Sequence, residues 1–243
     1  VFSAGSFCQR AEQLIAEIRA RHKLPLLVGG TMLYFHALQN GLAPLPPANA
    51  ELRATLTAQA AVLGWPHLHE RLKTIDPQAA AKIQPHDQQR LQRALEVYEL
   101  TGRPISSWQQ EETPTSKLNY LNLVLEQDNR ERLRQAIVQR FDEMLSQGFV
   151  AEVRGLYQRS DLHPELPALR AVGYRQIWDY LGGFSDYETM RNRAIIASQQ
   201  LAKRQLTWLR RWPSLTSFET DAHNLIYNVL DFLQKNNVVV HRG

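Results

Sequence analysis

From residue 7 to residue 21 the apolar positions Phe7, Ala11, Leu14, Ile15 and Ile18 recur at three- and four-residue intervals, which lines one face of an α-helix. Leu24-Pro-Leu-Leu-Val28 follows as a short apolar run closed by Gly29-Gly30, the pattern of a buried strand ending in a turn. Helix, strand and glycine turn form one α/β unit. Strands of this continuous apolar kind belong to parallel sheets covered on both faces, whose ligands bind beyond the carboxyl ends of the strands. The Gly29-Gly30-Thr31 turn lies at such an end and leads into a further helix.

The proline-rich stretch Leu42-Ala-Pro-Leu-Pro-Pro47 interrupts this pattern, and the following sixty residues read as helices without a convincing strand. They predict helices over 49–63, 67–75, 77–82 and 87–100. The last is stopped by Thr101-Gly102-Arg103-Pro104, the Gly-then-Pro order expected beyond a helix C-terminus. Alternation in Tyr120-Leu-Asn-Leu-Val-Leu125 predicts that the sheet resumes, and Asp128 is placed to cap a helix over 130–146 that ends at Gly148. Helices over 150–158, 173–181, 185–209 and, more weakly, 224–235 complete the reading. The division expected is a first part of an α/β core over 1–45, a helical insertion over 46–115, and a second part of the core with long basic helices over 116–243.

With 243 residues, 44% of them hydrophobic and 21% charged, the chain has the makings of a packed globular protein, and disordered and fibrous classes are excluded. No apolar run reaches the roughly 18 to 20 residues of a membrane span, and the opening residues lack the features of a signal peptide. No membrane partner and a cytoplasmic location are the expectations. The single cysteine, Cys8, rules out a disulfide framework, and the eight histidines show no metal-ligand spacing.

A formal net charge of +4 is by itself uninformative, but its distribution is uneven. Between residues 170 and 212 stand eight basic residues, Arg170, Arg175, Arg191, Arg193, Lys203, Arg204, Arg210 and Arg211, against the three acids Asp179, Asp186 and Glu188. On the long helix Arg193, Gln200, Arg204, Thr207 and Arg211 fall along one stripe, while Met190, Ala194, Ala197, Leu201 and Trp208 form another. The second stripe is expected to be core, and the first suits either solvent or phosphate, to which an arginine fork donates two parallel hydrogen bonds. Arg90 and Arg93 near a helix N-terminus oppose the helix dipole, so a role beyond local stability and a solvated basic face both stay open. Arg140 is equally open between a surface cation and a cleft residue. Gly29-Gly30-Thr31 either serves close packing or offers backbone N–H groups and a hydroxyl to a ligand. Nowhere does Gly-x-x-x-x-Gly-Lys-Ser/Thr, the phosphate-cradling loop, occur.

Taken together, Leu26-Leu-Val-Gly-Gly-Thr-Met-Leu-Tyr34, Asp87-Gln-Gln-Arg-Leu-Gln-Arg-Ala-Leu-Glu-Val-Tyr98, Thr101-Gly-Arg-Pro-Ile-Ser106, Arg170-Ala-Val-Gly-Tyr-Arg175 and Ala202-Lys-Arg-Gln-Leu-Thr-Trp208 resemble the tRNA dimethylallyltransferase family. The resemblance runs from about Phe2 to Trp212, and the residues beyond add little to it. It implies an α/β fold with a P-loop-kinase-like parallel sheet core, whose first strand and P-loop are not in this chain, and a helical insertion domain. The implied reaction moves a dimethylallyl group from dimethylallyl diphosphate to N6 of the adenosine 3′ of the anticodon. Implied partners are the tRNA anticodon stem-loop and dimethylallyl diphosphate, with Mg²⁺ accompanying the diphosphate and a monomeric protein.

By motif, Arg140 is the residue expected at the diphosphate. The tRNA contacts carried over are Thr31, Arg53, the run Gln89, Arg90, Leu91, Gln92, Arg93, the run Arg170, Ala171, Val172, Gly173, Tyr174, Arg175, and the run Lys203, Arg204, Gln205, Leu206, Thr207, Trp208, Leu209, Arg210. Gln199 stands where many relatives have a cation. The resemblance also leads to the expectation that this chain is the C-terminal three quarters of such an enzyme and inactive alone. A non-catalytic RNA-binding fragment and a nucleotide-kinase fragment of the same core are the alternatives.

Overall fold

A computed structural model describes residues 2–111, 118–236 and 238. In chain order the elements are α1 (Ala4–Ala20), α2 (Met32–Asn40), α3 (Ala50–Leu63), α4 (Trp65–Ile75), α5 (Pro77–Lys82), α6 (Gln88–Thr101), α7 (Ile105–Gln109), β1 (Asn122–Glu126), α8 (Arg130–Ser146), α9 (Phe149–Tyr157), α10 (Tyr174–Leu181), α11 (Tyr187–Leu209), β2 (Leu215–Glu219) and α12 (Leu225–Lys235). They divide into two compact units, one of residues 1–3, 13–32 and 120–243, the other of residues 4–12 and 33–119. The expected boundary between residues 115 and 116 lies outside the described residues.

The unit containing α3 to α7 is built from short helices around Leu56, Leu68, Leu72, Leu91, Leu95 and Val97. Its helix ends are set by local chemistry. The Asn49 side chain accepts from the Leu52 N–H, Asp76 from Ala79 and Asp87 from Arg90, each satisfying an N–H that the first helical turn leaves without a partner. At the other end of α6, Gly102 adopts a left-handed conformation (φ 68°) and its N–H bonds the Tyr98 carbonyl, the close predicted from the Thr-Gly-Arg-Pro sequence.

In the other unit α8, α9, α10 and α11 enclose Phe141, Phe149, Val153, Ile177, Trp178, Met190 and Ala194. β1 and β2 form a parallel pair in the register Asn122↔Leu215 to Glu126↔Glu219. β1 lies one to two residues beyond the predicted strand, and the cap of α8 is Asn129 rather than Asp128, its side chain accepting from the N–H groups of Glu131 and Arg132.

Three expectations are corrected. Leu24-Pro-Leu-Leu-Val28 has no strand partner among the described residues, and Leu24, Leu26 and Val28 are exposed rather than buried. An apolar run becomes a strand only where a neighbour completes its ladder, and β1 and β2 pair with each other instead. Residues beyond Trp212, which add little to the resemblance, supply β2, a strand not expected there, as well as α12, which lies where a helix over 224–235 is predicted. On α11 the second stripe is core at Met190 and Ala194 only, because Leu201 and Trp208 lie beyond the reach of the packed helices and are exposed.

Candidate functional site

Unit by unit, the structure sorts the candidate residues into those held inside the protein and those left facing solvent. In the helical unit, Glu96 on α6 is fully buried and gathers the polar groups around it. It accepts from the Asn49 N–H at 2.8 Å, from Arg53 through Nε at 2.8 Å and Nη2 at 3.0 Å, and from Arg93 Nη1 at 2.6 Å. Burial alone would raise the Glu96 carboxyl, but the bonds from Arg53, Arg93 and Asn49 outweigh it and hold the group below the usual carboxylate range. Arg93 spends its other nitrogen on the Pro46 carbonyl (2.7 Å), and Gln92 donates to the Arg53 carbonyl and the Thr57 hydroxyl.

Gln89 and Arg90 are exposed, with Arg90 paired to the capping Asp87 at 2.7 Å. Leu91 departs from its expected place at the RNA. Its side chain is fully buried among Leu56, Leu68 and Leu95, because its position on α6 faces the core, so its role is packing.

In the other unit the Gly29-Gly30-Thr31 turn is tied to α11, where the Gln205 side-chain amide donates to the Gly30 carbonyl at 3.0 Å. A Cβ on Gly30 would lie 2.5 Å from Gln205 Nε2, so the close approach uses the missing side chain. Thr31 is exposed immediately before α2. Gln205 thereby has a long-range partner; Lys203, Arg204, Thr207, Trp208 and Arg210 are exposed, Thr207 donating to the Lys203 carbonyl, and Leu206 and Leu209 are half-buried.

The segment 170–175 is shaped by Gly173 (φ 93°), where a Cβ would stand 2.8 Å from the Phe149 ring. Its N–H donates to Gln176 Oε1. Tyr174 packs edge-on against Phe149 and its hydroxyl donates to Glu152, which raises the phenol above its ordinary value. Val172 is half-buried, and Arg170, Ala171 and Arg175 are exposed. Glycine and tyrosine therefore set the segment, and the two arginines are what it presents.

A contrast in pairing runs through the same unit. On the N-terminal half of α11, Arg191 donates through Nε and Nη2 to Asp142 (2.5 and 2.6 Å), which lowers the Asp142 carboxyl, and Arg193 meets Asp179 at 3.3 Å. Among the described residues, Arg140, Arg170, Arg175, Lys203, Arg204, Arg210 and Arg211 have no acidic partner. Cations left without acids are suited to a polyanion such as a nucleic-acid backbone. For the divalent cation implied by the resemblance, no three His, Cys, Asp or Glu side chains converge among the described residues. No residue of this chain is assigned to that ion, which would be held chiefly by the diphosphate it accompanies.

These features define an α/β protein with a parallel strand pair and exposed cations, and the fold recurs in a solved structure. Over 96% of this chain and 73% of the other, it aligns with a full-length tRNA isopentenylpyrophosphate transferase from Bacillus halodurans at 33% identity and a TM-score of 0.64. Residues 1–212 match the IPP transferase model, and the chain belongs to the IPP transferase family. It is 52% identical over 234 residues to a tRNA dimethylallyltransferase of Coxiella burnetii, spanning 96% of this chain and 78% of the relative. It is 53% identical over 221 residues to that of Thioalkalivibrio sulfidiphilus, spanning 90% and 69% respectively.

Proposed function

We propose that this chain takes part in transfer of a dimethylallyl group from dimethylallyl diphosphate to N6 of the adenosine 3′ of the anticodon in tRNA. The observation that supports it is the set of exposed cations without acidic partners, Arg170, Arg175, Lys203, Arg204 and Arg210, in a chain of the IPP transferase family. Relatives named for dimethylallyl transfer to tRNA supply the substrate class. Membership in this family displaces the nucleotide-kinase alternative.

In the reaction the N6 lone pair forms a bond to C1 of the dimethylallyl group, the C1–O bond breaks, diphosphate departs and an N6 proton is lost. The charge that grows on the departing oxygen calls for a fixed cation, and Arg140, exposed on α8 and without an acidic partner, is the residue of this chain assigned to it. The target base must leave its stack to meet the prenyl carbon in line, so the protein must grip the stem-loop backbone around it. That is the work assigned to Arg53 and to the cations of 170–175 and 203–210. Mg²⁺ would neutralise the diphosphate when bound with it.

The test is twofold. Filter binding of an anticodon stem-loop to this chain should show an affinity that falls steeply with salt, and binding indifferent to salt would remove the RNA reading. Label should pass from dimethylallyl diphosphate to tRNA, and phosphate should not pass from ATP, in an enzyme of the relatives' length carrying this sequence.

A further inference from the structure

We infer that Glu96 is a positioning residue, holding the Arg53 guanidinium by one edge so that its opposite fork is presented to an RNA phosphate. The inference rests on the reading of the helical unit as an RNA-binding element. Glu96 is fully buried between Leu95 and Val97, both in the core of that unit. An ionised carboxylate there loses its water, and an apolar residue of similar size would pack at lower cost, so its presence calls for a reason besides stability.

The hydrogen bonds supply one. Arg53 meets Glu96 through Nε and Nη2, the side edge of its planar group. Among the described residues no bond engages Nη1, and the side chain is 41% exposed. The edge left to solvent is the end fork of Nη1 and Nη2, whose spacing matches two phosphate oxygens. Arg93 is different, since Nη1 is spent on Glu96 and Nη2 on the Pro46 carbonyl. Two guanidinium charges stand against one carboxylate, so an excess positive charge remains, and of the two only Arg53 presents a fork outward. Gln92 fixes the base of the arrangement by donating to the Arg53 carbonyl and to Thr57. A guanidinium held in one orientation before RNA arrives loses less freedom on binding than a loose one.

The experiment is a salt titration of anticodon stem-loop binding for the 243-residue chain and its variants Arg53→Ala, Arg53→Lys, Glu96→Gln and the double variant Arg53→Ala/Glu96→Gln, with circular dichroism to verify folding. Arg53→Ala and Glu96→Gln are each expected to flatten the slope of log affinity against log salt by about 0.7 to 0.9, one phosphate contact, and the double variant to lose no more than Arg53→Ala. A folded Glu96→Gln with the wild-type slope overturns the inference, because a merely structural Glu96 would lower stability and leave the slope alone. Should Glu96→Gln fail to fold, Arg53→Lys decides. Lysine keeps the charge but has no fork to be held by one edge and offered by the other, so affinity at fixed salt should fall severalfold with the slope kept, and unchanged affinity overturns the inference. An unchanged slope in Arg53→Ala also overturns it. If the wild-type chain shows no salt-dependent binding, the RNA reading itself falls and takes this inference with it, an outcome distinct from failure of the variants alone.

Discussion

The Gln205 side-chain amide donates a 3.0 Å hydrogen bond to the Gly30 carbonyl, joining the C-terminal end of α11 to a glycine turn far away in sequence. The bond makes Gly30 and Gln205 dependent on each other. In Gly30→Ala the new methyl would meet Gln205 Nε2 at 2.5 Å, a flexible tip that swings aside and gives up the bond. A loss of about 1 kcal/mol in unfolding free energy is expected from denaturant titration, the usual worth of one such bond. Gln205→Ala should lose about as much, and the double variant no more than either. Additive losses would show that the turn and the helix are held by something else.

Gly173 is a stricter constraint, since its φ of 93° and the Phe149 ring at 2.8 Å both act against a side chain. Gly173→Ala should cost about 2 kcal/mol or more, seen as a lower denaturant midpoint, because the backbone must leave the left-handed region or the ring must move. Arg170 and Arg175 flank this segment, so RNA affinity should fall with it. A variant of unchanged stability would mean that Phe149 yields without cost.

How far the sequence reached is visible in the same residues. Helices whose ends are marked by local chemistry were legible, as Asp87 and Gly102 around α6 show, because capping depends on residues three or four apart. Clusters of cations were legible too, but not which of them lack acids. Arg193 and Arg204 lie on one predicted stripe, and only the fold brings Asp179 to the former. Leu24-Pro-Leu-Leu-Val28 misled because its apolarity is local while strand pairing is not, and β2 was missed because Leu215-Thr-Ser-Phe-Glu219 becomes a strand only beside β1. Glu96 had a signal that was passed over: an acid within the apolar run Ala94-Leu-Glu-Val97 needs partners wherever that run is buried.

The same carboxylate makes stability depend on pH. The Glu96 carboxyl is held below its unfolded value near 4.3, so its contribution is fully present above that value and lost as pH falls through the lower folded value. Glu96→Gln should destabilise the folded chain by about 3 kcal/mol at neutral pH, since Arg53 and Arg93 lose their shared anion. The difference from wild type should shrink below pH 4. A difference equally large at pH 3 and pH 7 would show that the loss comes from packing and not from the charge.

Arg140 offers a prediction separable from folding, because it is exposed on α8 without an acidic partner. In an enzyme of the relatives' length, Arg140→Ala should lower kcat/KM by the equivalent of about 2 to 4 kcal/mol, the effect of removing one fixed donor from a developing anion. Its unfolding midpoint should not move. Unchanged turnover would make Arg140 a surface cation only.

The pairing contrast on α11 leads to the last prediction. Lys203, Arg204 and Arg210 are exposed without acidic partners, while Arg193 on the same helix meets Asp179 at 3.3 Å. If the first three neutralise tRNA phosphates, each releases condensed counterions on binding. Substituting any one by alanine should then flatten the log affinity against log salt slope by about 0.7 to 0.9. Arg193→Ala is the internal control. It removes a charge already balanced by Asp179, so the slope should hold, and because the pair is partly exposed its stability should change by less than about 1 kcal/mol. A basic residue that instead packs its stem on Trp208 would lower the melting temperature with no effect on the slope. Stem-loop titrations of the four variants with parallel melting curves separate these cases. Equal flattening in Arg193→Ala and in the other three would mean that the helix acts as a diffuse positive field, and that the pairing seen at Asp179 does not decide which residues meet the RNA.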